Sequence, residues 1–176
     1  PSAVRNIDHV VLLNGDTNPR EKWRLSNEWQ VFNLTPFTHT IKLEADMYLD
    51  TNIDYWWNYL HQQDMVFSWD CRNYKDDIVK ETPYRDTFIQ NALPNIYSGL
   101  TYFRKSYFAD RFFKICKKII CNWDYVKENC LINCHDKQPT TDVVYALALK
   151  IMDPTGSKKI DFDFFKFVHN KRGVHG

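Results

Sequence analysis

The chain has 176 residues, 44% hydrophobic and 16% aromatic, with 12 Phe, 10 Tyr and 6 Trp. That load of large side chains excludes a disordered chain and suffices for a single packed domain over residues 1–176. Twenty-three basic residues against 22 acidic ones leave a net charge of +1, which excludes a chain-wide electrostatic footprint for nucleic acid, and no run approaches the roughly 20 apolar residues of a membrane span.

In chain order, Val10-Val11-Leu12-Leu13 reads as a short buried strand closed by the turn Asn14-Gly15-Asp16. Residues 16–30 are polar and Trp-containing, a loop with a helical piece. Thr40 to Leu43 reads as a second strand. Asp54 is placed to cap a helix whose apolar positions Ile53, Trp56, Trp57 and Leu60 have helical spacing. Met65 to Trp69 is a third strand. The polar stretch 70–94, with Pro83 and Pro94, reads as a long loop, a feature that is often functional. Ile96 to Phe103 is strand-like around Gly99. Lys105 to Asn122 predicts a helix with an apolar stripe of Phe108, Phe112, Ile115, Cys116, Ile119 and Ile120. A further helix starts near Thr141, and Ile160 to Val168 is an aromatic-rich last strand. Strands alternating with helices predict an α/β sheet flanked by helices.

The five cysteines, Cys71, Cys116, Cys121, Cys130 and Cys134, are odd in number and irregular in spacing, so they predict reduced thiols in a cytoplasmic protein and no disulfide framework. Cys130, Cys134 and His135 are zinc-type ligands, but no second pair lies at a suitable distance. No signal peptide is seen. The chain opens on Pro1 where a Met would stand, so an upstream beginning is expected.

Four short segments carry candidate chemistry. Glu44-Ala45-Asp46 lies at the exit of the second strand, where alternation would put both carboxylates on one side. Hard cations such as Mg²⁺ or Mn²⁺ take carboxylate oxygens and keep positions for substrate phosphates, and ligands of open α/β sheets sit beyond strand ends. A solvated strand end fits the same triplet. Asn95-Ile96-Tyr97-Ser98-Gly99 has a glycine inside a strand pattern, the mark of a bulge or of close approach to the backbone, with Asn95 and Ser98 suited to sugar hydroxyls. A turn entering a core strand fits it too. Thr140 or Thr141 is placed to cap the later helix, and Asp142 to favour its positive end or to orient a hydroxyl. His169 and Lys171 follow the last strand, a metal-type ligand and a cation suited to a diphosphate.

Taken in this order, the segments resemble the catalytic half of GT-A-type glycosyltransferases, above all the glycogenin and lipopolysaccharide galactosyltransferase family, family 8. Glu44-Ala45-Asp46 is similar to that family's D-x-D, Asn95 to Leu100 to its N-S-G segment, Asp142 to its helix-opening Asp, and His169 and Lys171 to its metal-binding His and diphosphate-binding Lys. The aromatic, charge-balanced style also resembles glycosyltransferase-like proteins of large bacteriophages, for which the compartment would be the host cytoplasm. Two departures stand out. Glu44 replaces the first Asp, and Ile96-Tyr97 separates Asn95 from Ser98-Gly99.

The resemblance covers about residues 7–171 and implies a GT-A-like mixed sheet whose N-terminal nucleotide-binding unit is incomplete, to be completed by another segment or a second chain. It implies Mn²⁺ or Mg²⁺ held by Asp46, Glu44 and His169, and a nucleoside-diphosphate sugar contacted by Glu44, Ser98, Gly99 and Lys171. Asp142 and Asn95 then act at the reacting centre, and a hexosyl or pentosyl unit passes with retention to a glycan, a protein or a modified DNA base. Arg85 and Asp86 are further candidates for acceptor contact, and Lys105, Arg111, Lys114, Lys117 and Lys118 form a basic helix face or a merely solvated one. Two other classes fit the same residues: a metal-dependent nuclease using Glu44 and Asp46 on a phosphodiester, and a non-catalytic binding module with the same fold.

Overall fold

The computed structural model describes residues 8–11, 26–49, 52–73, 75–79, 85–155 and 168. Their frame is an antiparallel sheet of three strands, β1 (His39–Leu43), β2 (Met65–Trp69) and β3 (Ile96–Arg104), in the order β1-β3-β2. Both β1 and β2 run antiparallel to β3. They are therefore parallel to each other, with β3 inserted between them, a split β-α-β arrangement. Six α-helices accompany the sheet: α1 (Val31–Leu34), α2 (Trp56–Leu60), α3 (Asp86–Gln90), α4 (Tyr107–Cys121), α5 (Trp123–Cys130) and α6 (Thr141–Met152). The fold is thus mixed α and β. The one parallel pairing among the described residues is an isolated bridge between Arg72 and Val168, so the mixed sheet expected from sequence is, over these residues, antiparallel.

Alternation along the strands builds two apolar layers. Met65, Phe67 and Phe103 face a large core closed by α4 and α6 through Phe112, Phe113, Val144, Tyr145 and Ala148. The Phe112 ring lies 5.2 Å from that of Phe67 and 5.1 Å from that of Tyr145. Val66, Leu100 and Tyr102 face the other way, onto Trp56 and Leu60 of α2. Each such side chain, fully buried, stabilises the fold by about 1.5–3 kcal/mol. Helix α4 begins where the Ser106 hydroxyl accepts the Ala109 N–H at 3.3 Å, and it buries Ala109, Phe112, Phe113, Cys116 and Ile119, one stripe at helical spacing.

Several sequence expectations need correction. Val10 and Val11 are exposed and in no strand; Leu12 to Asp16 lie outside the described residues, as does the last strand apart from Val168. Asp54 makes no side-chain cap for α2; its own N–H is held by Asn52 Oδ1 at 2.7 Å. The stretch 70–94 contains α3, and α4 ends at Asn122 as the sequence predicts, but α5, which it does not predict, follows at once. Thr140 precedes α6, but its hydroxyl donates to Asp136 at 3.4 Å instead of capping the helix.

One irregularity shapes the site. Phe67 pairs with Thr101, yet the next residue, Ser68, pairs with Tyr97. Ser98, Gly99 and Leu100 therefore bulge away from β2, while Leu100 stays in register with Leu43 of β1. The Ser68 hydroxyl stitches the gap by donating to the Leu100 carbonyl at 3.0 Å. Bulges of this kind re-aim side chains and are frequent beside active sites.

Candidate functional site

Strand β1 stops at Leu43, and Glu44 to Met47 forms a turn in which the Met47 N–H donates to the Glu44 carbonyl at 3.2 Å. Strand alternation therefore does not govern Glu44 and Asp46, contrary to the sequence reading. Instead the Glu44 N–H donates to the Gly99 carbonyl at 3.1 Å, and its carboxylate folds over Gly99. A Cβ on Gly99 would lie 3.1 Å from the Glu44 carboxyl carbon and 3.0 Å from Met47 Cε. The close approach that the glycine permits is thus by Glu44 itself. Asp46 and Ala45 are exposed and Glu44 is half-buried.

Beneath the turn, the bulge is pinned to α6. The Ser98 N–H and hydroxyl both donate to Asp142 Oδ1, each at 2.7 Å, and Arg85 Nη2 approaches Asp142 Oδ2 at 3.5 Å. All three residues are buried. Arg85 also donates to the Ile96 carbonyl at 3.0 Å and lies over the rings of Phe88 and Tyr97. From β1, Lys42 reaches inward to donate to the Ser98 carbonyl at 2.8 Å and pairs with Glu28. Asn95 donates to Asp70 Oδ1 at 2.9 Å and its carbonyl accepts the Asp70 N–H at 3.0 Å. Tyr97 sits in the field of both Asp142 and Glu44. Burial first, and then those two carboxylates, push its phenol well above the ordinary value, so it stays protonated.

The structure therefore brings together Glu44, Ser98, Gly99 and Asp142, and sets Asn95 nearby at the head of β3. His169 and Lys171 lie outside the described residues. The Asp142 carboxylate is taken up by Ser98 and Arg85, so it holds the bulge. Of the two candidates for acceptor contact, Arg85 is 2% exposed, and Asp86, in the first turn of α3, is exposed. Among the described residues no cluster of three or more His, Cys, Asp or Glu side chains stands ready to hold a metal ion. Cys130, Cys134 and the other cysteines are free thiols.

Sequence reasoning missed Lys42, Tyr97 and Asp70. Lys42 was legible in part, since alternation within β1 sets it opposite its apolar neighbours Ile41 and Leu43. Asp70, at φ 44°, is a left-handed residue that nothing in the sequence marked. The basic face is a set of solvated or locally paired cations: Lys114 bridges to Asp110 at 2.6 Å and Lys117 lies over Trp29. At the far end of the sheet, His39 Nδ1 and the Tyr102 hydroxyl share a 2.7 Å hydrogen bond, with the His61 ring 4.6 Å from that of His39. Burial, then His61 and Arg104, lower the His39 pKa, whereas burial raises Tyr102 to about 12.

Comparison of the chain with protein-family models, with curated proteins and with solved structures returns no match. No helix among the described residues is long and apolar enough to cross a membrane.

Proposed function

We propose that this chain is a metal-dependent glycosyltransferase of GT-A type, acting in the cytoplasm on a nucleoside-diphosphate sugar. The observation that carries the reading is the meeting of three distant segments. The Glu44 carboxylate rests on Gly99, in a bulge whose Ser98 is bonded twice to Asp142. They meet where β1 ends at Leu43 and β3 bulges beside it, and bulges are frequent beside active sites. Five free cysteines suit a reducing compartment.

In this reading Glu44 and Asp46 would hold Mn²⁺ or Mg²⁺, and the resemblance would add His169 as a third ligand and Lys171 as a cation for the diphosphate. Mg²⁺ is commonly held by one or two carboxylates and completed by water and substrate phosphates, so half-buried Glu44 and exposed Asp46 on one turn are of the right chemistry for it. When bound, the ion supplies Lewis-acid stabilisation of the departing nucleoside diphosphate. The anomeric C–O bond breaks, its electron pair leaving on the diphosphate. The acceptor hydroxyl oxygen bonds to the anomeric carbon and gives up its proton to the departing diphosphate oxygen. The chain's own residues prepare this. Asp142, Arg85 and Lys42 fix the bulge, the bulge seats Glu44, and Asn95 and Asp70 fix the head of β3.

The test is hydrolysis or transfer of nucleoside-diphosphate sugars with Mn²⁺, run beside cleavage of DNA and RNA. Turnover of a donor that is abolished by Asp46→Ala is expected. Nucleic-acid cleavage without donor turnover would establish the nuclease alternative instead.

A further inference from the structure

A concavity of about 280 Å³ opens at the carboxyl end of β2, away from the acidic turn. Trp69, the last residue of β2, supplies one wall. Leu93, Pro94 and Leu149 supply aliphatic walls, and Lys150 and Asp153 stand among its polar groups. The backbone around it is held in an uncommon form. Asp70, next to Trp69, has φ 44°, and Ala92, also in the lining, has φ 46°. Non-glycine residues persist in that region when their surroundings over-determine them, as at ligand clamps. Here the reciprocal Asp70–Asn95 bonds fix one, and Lys150, donating to the Asn91 carbonyl at 2.5 Å, braces the other.

The chemistry of the lining selects a ligand class. An indole offers a flat, electron-rich face, and sites of this kind combine apolar walls with a few polar groups that fix orientation. A pyranose matches both, with C–H groups on one face and hydroxyls round its edge. Those hydroxyls both donate and accept, so they can meet the further donors of Lys150 and the further lone pairs of Asp153, whose Oδ1 also accepts the Thr155 hydroxyl at 3.1 Å. One cation and one anion leave no excess charge for an ionic ligand.

We propose that this concavity binds a neutral sugar ring of the acceptor, stacked on Trp69. The inference rests on the glycosyltransferase reading and narrows its acceptor to a glycan. β3 separates β2 from β1, so two strand spacings, roughly 10 Å, lie between the ends of those strands. A single sugar on Trp69 does not span that gap. The acceptor is therefore an oligosaccharide that anchors one ring here and presents another near Glu44.

The experiment titrates the chain with neutral di- and trisaccharides and, separately, with nucleosides, read by tryptophan fluorescence and saturation-transfer NMR. Trp69→Ala, Trp69→Phe and Asp153→Asn are titrated alongside. A saccharide should bind the wild type. Trp69→Ala should weaken it about tenfold or more, Trp69→Phe clearly less, and Asp153→Asn measurably. Should Trp69→Ala fail to fold, Trp69→Phe and Asp153→Asn decide the matter. No saccharide binding, binding that all folded variants retain in full, or nucleoside binding in its place overturns the proposal. Donor hydrolysis by the wild type with Mn²⁺ is measured separately. Donor turnover without saccharide binding sinks the glycan inference alone, whereas saccharide binding without donor turnover sinks the transferase reading and keeps the sugar site.

Discussion

The two halves of β3 solve different problems. From Thr101 to Arg104 the strand is regular, paired on both sides, and held by apolar packing through Phe103 and Tyr102. From Ile96 to Leu100 it carries the bulge, in which Ser98 to Leu100 leave β2, and is held by a polar set, buried Ser98, Asp142 and Arg85 with half-buried Lys42. Apolar contacts are non-directional and tolerate a regular ladder. Hydrogen bonds to a buried carboxylate are directional and fix one geometry, at the cost of leaving charges stranded when a partner is lost. The bulged half is therefore the one built to hold particular atoms, and it is the half that faces Glu44.

Substitutions can separate the halves. Phe103, fully buried against the rings of Phe32 and Phe113, belongs to the regular half. Phe103→Ala should cost roughly 3–5 kcal/mol, seen in denaturant unfolding as a lower midpoint for the whole domain. Asp142→Ala should cost about 3 kcal/mol, the lower end for a broken buried pair, because Arg85 stands 3.5 Å away and keeps its bond to the Ile96 carbonyl. Its distinguishing mark is faster amide exchange at Ser98, whose N–H loses its acceptor; unchanged exchange there would contradict the pinning role. Gly99→Ala meets only the flexible ends of Met47 and Glu44. It should cost about 1 kcal/mol yet displace the Glu44 carboxylate, so Mn²⁺ affinity should fall by more than stability does.

The smallest expected effect tests the regular half from its far end. The folded state lowers the His39 pKa below its ordinary 6.5, by burial and then by His61 and Arg104. The unfolded chain accordingly binds that proton more readily than the fold does. The contribution to stability is complete above about pH 6.5 and is lost as pH falls below it toward the lower folded value. Thermal melts should show a drop from neutral to mildly acid pH, and His39→Gln should flatten it. An identical slope in the variant would rule His39 out as its source.

Much of the frame was legible in the sequence. β1, β2, β3, α4 and α6 follow from alternation and from helical spacing, and the strand ends at Leu43 and Trp69 fell where expected. What was not legible depends on tertiary partners. The short helices α3 and α5 have too few residues for a clear periodic signal. Gly99 signalled a close approach correctly in kind, but only the fold reveals that Glu44 makes it. The pairing of Ser98 with Asp142 joins residues 44 positions apart, and no local pattern announces such a bond. That bond gives Asp142 a structural role that its place at the start of a helix did not suggest.

The central claim is that the turn at Glu44 and Asp46, seated on the bulge, holds a divalent cation that carries a nucleoside diphosphate. The most direct measurement is anomalous diffraction from a crystal soaked with Mn²⁺ and a nucleoside diphosphate. The account predicts manganese density at the Glu44 and Asp46 carboxylates, with the diphosphate on it, and loss of both in Asp46→Ala. Manganese bound elsewhere, or a diphosphate seated away from this turn, would contradict it.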